Sequence, residues 1–357
     1  MPISALTRGR AKNMKKSNKT IIIAEMACSH DGSMEIAKKI IDAAADAKAD
    51  VINFHMTHLP DYMVPDYNLG GVSEGKDSNN IYNYLKKIIW FGEKEWRGLF
   101  SYAKKKNLLV SALCNDISSL ETAKKLNADI YQIHSSSLSE KNLVKLIAKN
   151  KKQIALKIGG TYLGELEKCI SWIKEEGNEN IVLMYGYQNY PTKLEDVNMR
   201  FIPTLKNLFN LPVGFCDHTD GVSELALIIP LLSLPFGATF LEKHITHDRS
   251  KKCEDFESAL NPDDFKKFVG YVRESEKTFG ISSMRLFSED EQKYRNISKK
   301  RAVANANLSK GTVLQQKHIA YKRANSGLFP DKASSLMGRK LKKDISENTP
   351  IDWSCIE

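Results

Sequence analysis

Histidine is scarce in this sequence and unevenly placed. It occurs eight times. His30, His55, His58, His134, His218, His244 and His247 all follow closely on short apolar runs of β type. Random placement would also put imidazoles on helices and surface loops, so the concentration is a functional signal. His218 and His244 close two consecutive runs. On neighbouring strands such imidazoles converge, and with carboxylate or water partners they suit a divalent ion: Mn²⁺, Fe²⁺, Co²⁺ or Zn²⁺. The alternative is a pair of strand-end histidines bonded to backbone. Asp217, Glu242 and Asp255 are close enough in sequence to orient such ligands or join them. Glu25 has the type for a general base or for positioning water, and equally for a salt bridge to Lys157 or Lys243. Asn53, Ser111, Gln132, Ser135, Gln188 and Tyr190 are further polar residues behind apolar runs, and Cys28, Cys114 and Cys216 there read as small buried thiols.

The elements that must carry these residues alternate in type. Strand-like segments are expected at Thr20–Ala24, Asp50–His55, Leu108–Ala112, Asp129–Ile133, Gln153–Lys157, Asn180–Met184, Pro212–Phe215 and Ala238–Glu242. Helical spacing fills Met34–Lys48, Tyr84–Lys106, Ser119–Leu126, Glu140–Lys149, Leu163–Glu176, Met199–Phe209, Val222–Leu232 and Pro262–Phe279. Repeated βα units demand a parallel sheet, and eight of them close into a TIM barrel. An open doubly wound sheet is the alternative, but the turn after the first strand carries no GxGxxG. In a barrel the ends of the strands form one mouth, where active sites sit. Thr57–Asn80, with its prolines and glycines, reads as an active-site excursion.

The bulk numbers agree with this layout. The chain has 357 residues, enough for a barrel of about 250 and a small module. Hydrophobic content of 42% and charged content of 27% are those of a globular protein. No apolar run reaches the ~20 residues of a membrane span. Residues 1–19 are basic without an apolar core, so they read as a disordered tail and not a secretory signal. The net charge is +10. Lysine is dispersed and no basic–aromatic motif appears, so nucleic acid is not expected; the positive field favours a small anionic substrate. Six cysteines without CxxC spacing point to reduced thiols and a cytoplasmic protein. The expected domains are a barrel at 20–280, an irregular charged linker at 281–301 and a small, mostly β module at 302–357.

At these positions the chain resembles the sialic acid synthase family, from about residue 20 to the end. IIIAEMACSHDGS is similar to the family's IAEAGxNHNGS, VGFCDHTDG to VGYSDHTxG, and FLEKHITHDRSKKCEDFESALNPDDF to its IEKHFTLDRxxxGPDHxxSLxPxEL stretch. NYPTKLEDVNMRFIPTL and the tail SKGTVLQQKHIAYKRANSGL resemble a further family stretch and its antifreeze-like (SAF) module. The resemblance implies condensation of phosphoenolpyruvate with an N-acylated amino-sugar aldehyde to give a nonulosonate. It implies a divalent metal, Mn²⁺ first, on His218 and His244. It gives a catalytic role to Glu25, sugar contacts to Tyr190 and Asp255, and an N-acyl contact to Arg323 across a domain-swapped homodimer; Lys157 and Lys243, at strand ends, are further catalytic candidates. The chain departs from the pattern on the donor side. Asn53-Phe54-His55 stands where the family has KFQ, Gln132-Ile133-His134-Ser135 where it has KIxS, Lys157 where it has serine, and Gln188 where it has asparagine. A charge-assisted bond contributes about 1.5–3 kcal/mol, so two lost lysines weaken a phosphate site substantially unless Lys157 compensates. The remaining expectations are a different small donor in an aldolase or lyase reaction, or a silent sugar-binding homologue; the added His55 and His134 speak against the last.

Overall fold

A computed structural model describes residues 19–67, 81–89, 91–280 and 284–357. The expected basic tail, Lys19 apart, lies outside the described residues, as does much of the Thr57–Asn80 excursion. The chain divides into two compact units, Met1–Gly280 and Ile281–Glu357.

The first unit is a closed barrel of eight parallel strands in sequence order: β1 Ile21–Glu25, β2 Val51–Met56, β3 Leu109–Cys114, β4 Ile130–Ile133, β5 Gln153–Lys157, β6 Ile181–Tyr185, β7 Val213–Asp217 and β8 Ala238–His244. Side chains alternate across each strand. Ile21, Ile23, Val51, Leu109, Val182 and Phe240 belong to one packed cluster, which fills the barrel interior. The residues between them, such as Ile22, Ile52, Phe54 and Leu241, join the larger core under the helices. The same alternation carries upward, so Glu25, Asn53, Ser111, Gln132, Lys157, Cys216 and Glu242 share the interior face.

Local chemistry fixes the helix starts and stops. Ser33 caps the helix Met34–Asp46 by accepting from the Ile36 N–H, and Asp116 caps Ile117–Lys125 by accepting from Ser119. Asn210, at φ +51°, ends Phe201–Phe209 in the left-handed conformation. The single helix expected over Tyr84–Lys106 is two, Ile81–Ile88 and Glu93–Lys105, because Gly92 is extended and opens the second. No helix among the described residues is long and apolar enough to cross a membrane.

The second unit pairs β9 Arg301–Ala304 antiparallel with β10 Ile319–Lys322 over a small core that includes Leu314, Leu336, Leu341 and Ile351. The irregular linker expected at 281–301 is corrected: it contains a helix, Glu289–Ser298. Ser288 accepts from the Glu291 N–H while Glu291 accepts from the Ser288 N–H, a reciprocal capping box.

Candidate active site

The strand ends deliver one hydrogen-bonded chain across the barrel floor. Asn53 Nδ2 donates to Glu25 Oε2 at 2.7 Å. Lys157 Nζ donates to the same oxygen at 2.9 Å and to Glu242 Oε1 at 2.5 Å. Gln132 Nε2 donates to Glu242 Oε2 at 2.9 Å. The chain therefore joins β2, β1, β5, β8 and β4, with every member buried. Glu25 also accepts the Ala27 N–H at 2.9 Å and lies 3.6 Å from His55 Nε2. Burial opposes ionisation of Glu25, but the Lys157 ammonium and His55 outweigh it and hold the carboxyl well below its usual range. Burial likewise opposes the charge on Lys157, and the two carboxylates reverse that, holding the ammonium well above its ordinary value. A carboxylate so enclosed is a weak base. Its geometry fits the anchoring role among the readings of Glu25.

Above this floor His218 and His244 meet on adjacent strands, their ring centroids 5.3 Å apart and their planes at 55°. The Tyr187 carbonyl accepts from His218 Nδ1 at 2.8 Å, which places the proton there and leaves the Nε2 lone pair free. Burial pushes His218 down to about 4 and His244 well below its ordinary value, so both rings are neutral near pH 7. His244 Nδ1 is buried without a hydrogen-bond partner. Two neutral imidazoles at this separation fit one divalent ion, since metal–nitrogen bonds of about 2.1 Å span it. Among the described residues no group of three His, Cys, Asp or Glu could hold a metal alone. Such an ion would take its other ligands from water and substrate, an open site.

The remaining candidates separate by position. The Tyr190 ring packs against His218 at 4.4 Å, and its hydroxyl donates to Gln188 Oε1 at 2.9 Å. Burial keeps that phenol protonated. Asp255 sits in a left-handed turn at φ +63°, and burial and then Glu254 push its carboxyl up to about 7. His134 is half-buried, accepts the Ser136 N–H at Nδ1, and is pushed down to about 4 by burial and then Lys157. Ser135 opens the single turn behind it. Ser111 lies on the floor with its hydroxyl unpartnered.

Lys243 is corrected. It lies on the outward face of β8, where its ammonium donates to Asp217 Oδ2 at 2.5 Å and to the Thr219 carbonyl at 3.2 Å. It ties two strands together beneath the helices and does not reach the interior. Arg323 belongs to the second unit, where it is exposed. Glu242, expected only beside the histidines, is instead the second anchor of Lys157. His30 also belongs here: it is buried against Phe91, with Nδ1 accepting the Gly32 N–H and Nε2 unpartnered.

Comparison with known proteins adds ancestry to this geometry. The NeuB family model matches residues 40–283 and the SAF domain model residues 301–357. A pseudaminic acid synthase of Campylobacter jejuni is 31% identical over 341 residues, covering 93% of this chain and 95% of its own. An uncharacterized protein of Methanocaldococcus jannaschii is 30% identical with 95% of both chains covered. The crystal structure of an N-acetylneuraminic acid synthetase from Leptospira borgpetersenii, in complex with citrate, superposes with a TM-score of 0.67 at 30% identity, over 78% of this chain and 93% of that one.

Proposed function

The chain belongs to the NeuB family, and on that premise we propose that it is a carbon–carbon bond-forming synthase that extends a sugar aldehyde by a small donor. The observation that carries this reading is the neutral pair His218 and His244 at the barrel mouth. A bound divalent ion, Mn²⁺ first, supplies Lewis-acid polarisation of the aldehyde carbonyl. Tyr190 walls the pair and Asp255 stands on the β8 side, positions suited to hold an N-acylated amino-sugar. Glu25, Lys157 and Glu242 keep a fixed charge array beneath the reacting carbons, which costs no reorganisation during the reaction. With phosphoenolpyruvate as donor the product is a nonulosonate-type keto acid. The second reading, an aldolase or lyase that uses no phosphoenolpyruvate, is favoured by the neutral Asn53 and Gln132 on the floor. The sequence resemblance supports a further part of this reading, in which Arg323 contacts the acyl group within a homodimer.

The test is metal-loaded enzyme with N-acylated amino-sugars and a panel of small donors, products being read by mass spectrometry. A metal-dependent adduct is expected, and His218→Ala should abolish both metal binding and turnover. Undiminished turnover in that variant would refute the site.

A further inference from the structure

Asn53, Ser111 and Gln132 stand on three consecutive strands, β2, β3 and β4, and all are fully buried. Each presents one polar atom without a partner: Asn53 Oδ1, Ser111 Oγ and Gln132 Oε1. The amides cannot be turned round. Their nitrogens donate to Glu25 and Glu242, and flipping either would press a carbonyl oxygen against a carboxylate. What the floor offers an incoming group is therefore two acceptors and a hydroxyl. An unsatisfied buried acceptor is costly, and a ligand carrying O–H groups recovers that cost where an anion does not. The floor's ammonium is already shared, Lys157 lying 2.9 Å from Glu25 and 2.5 Å from Glu242. A phosphate placed here would face acceptors and two carboxylates across one committed cation.

We propose that the barrel floor selects an unphosphorylated, hydroxyl-bearing carbonyl donor, whose O–H groups are read by Asn53 Oδ1, Gln132 Oε1 and Ser111 Oγ. This rests on the carbon–carbon bond reading above and narrows its donor. The chemistry is an aldol addition. One proton leaves the donor's α-carbon, the electron pair left behind forms the new bond at the aldehyde carbon, and the aldehyde oxygen takes up one proton. Donor and acceptor together make one product, and neither water nor phosphate leaves.

The metal-loaded enzyme is given N-acetylmannosamine with dihydroxyacetone, pyruvate or phosphoenolpyruvate. Product is expected with dihydroxyacetone at least about tenfold faster than with the other two, the scale of one or two lost hydrogen bonds. Phosphate release from phosphoenolpyruvate, or equal turnover of pyruvate, overturns the donor assignment and leaves the bond-forming reading intact. Adduct with none of the three counts against the bond-forming reading, and the floor is then judged by binding alone. Titrated with inorganic phosphate, the wild type should bind at least about tenfold more weakly than Gln132→Lys, which adds a charge-assisted donor. Equal binding by the two folded proteins overturns the proposal.

Discussion

Lys157 is the residue on which the interior charges depend. It is buried between two carboxylates, 2.9 Å from Glu25 and 2.5 Å from Glu242. Removing one member of a buried ion pair leaves an uncompensated charge and costs about 3–5 kcal/mol. Lys157→Met should lower stability by that amount in urea denaturation, and adding Glu25→Gln and Glu242→Gln should recover most of it. A Lys157→Met protein as stable as wild type would show that the bridge is not held. Asp255 gives a second test, through pH. Its folded carboxyl titrates near 7, above its unfolded value of about 3.9. Below about pH 4 both states hold the proton. From there to about pH 7 only the folded chain keeps it, so this group lowers stability as pH rises through that window. His218 and His134, both pushed down to about 4, act oppositely, because the unfolded imidazole takes the proton first between about 4 and 6.5. Asp255→Asn should therefore melt near wild type at pH 4 and progressively above it towards pH 8. Parallel melting curves across that range would contradict the assignment.

At the scale of elements, strand order and the mouth were legible because apolar β runs alternate with amphipathic segments. Strand parity was legible too, and it decides two side chains. On β8, Glu242 and His244 are two apart and face inward, so Lys243 between them faces outward. Position at the strand's end alone suggests Lys243 in the site and Glu242 at its edge; the alternation reverses both. The pairing of Lys157 was not legible, because it joins β5 to β1 and β8 across the barrel and no local spacing encodes that distance. The helix Glu289–Ser298 has a local signal in the sequence, since Ser288 and Glu291 have the S-x-x-E spacing of a capping box, but a strongly charged composition obscures it. Ser288→Ala removes one half of that cap and should cost about 1 kcal/mol. Hydrogen exchange should show faster amides in its first turn; unchanged protection there would mean that packing, not the cap, holds the helix.

At the scale of the whole molecule, the two units carry separate cores. The second unit buries Ala302, Leu308, Leu314, Leu336, Leu341, Ile345 and Ile351 together. Its cysteine, Cys355, is a free thiol, so the core and backbone pairing must suffice without a disulfide. Domains of about 70–80 residues seldom gain more than ~3–5 kcal/mol from one core. A polypeptide of residues 284–357 should therefore fold cooperatively but marginally, with a single low urea midpoint. Leu341 is fully buried at the centre of that core. Truncating such a leucine costs about 2–5 kcal/mol, as much as the unit has to lose. Leu341→Ala should leave the isolated piece unfolded, while in the full chain the barrel's transition stays where it was. A barrel transition that shifted with Leu341→Ala would show that the two cores melt as one.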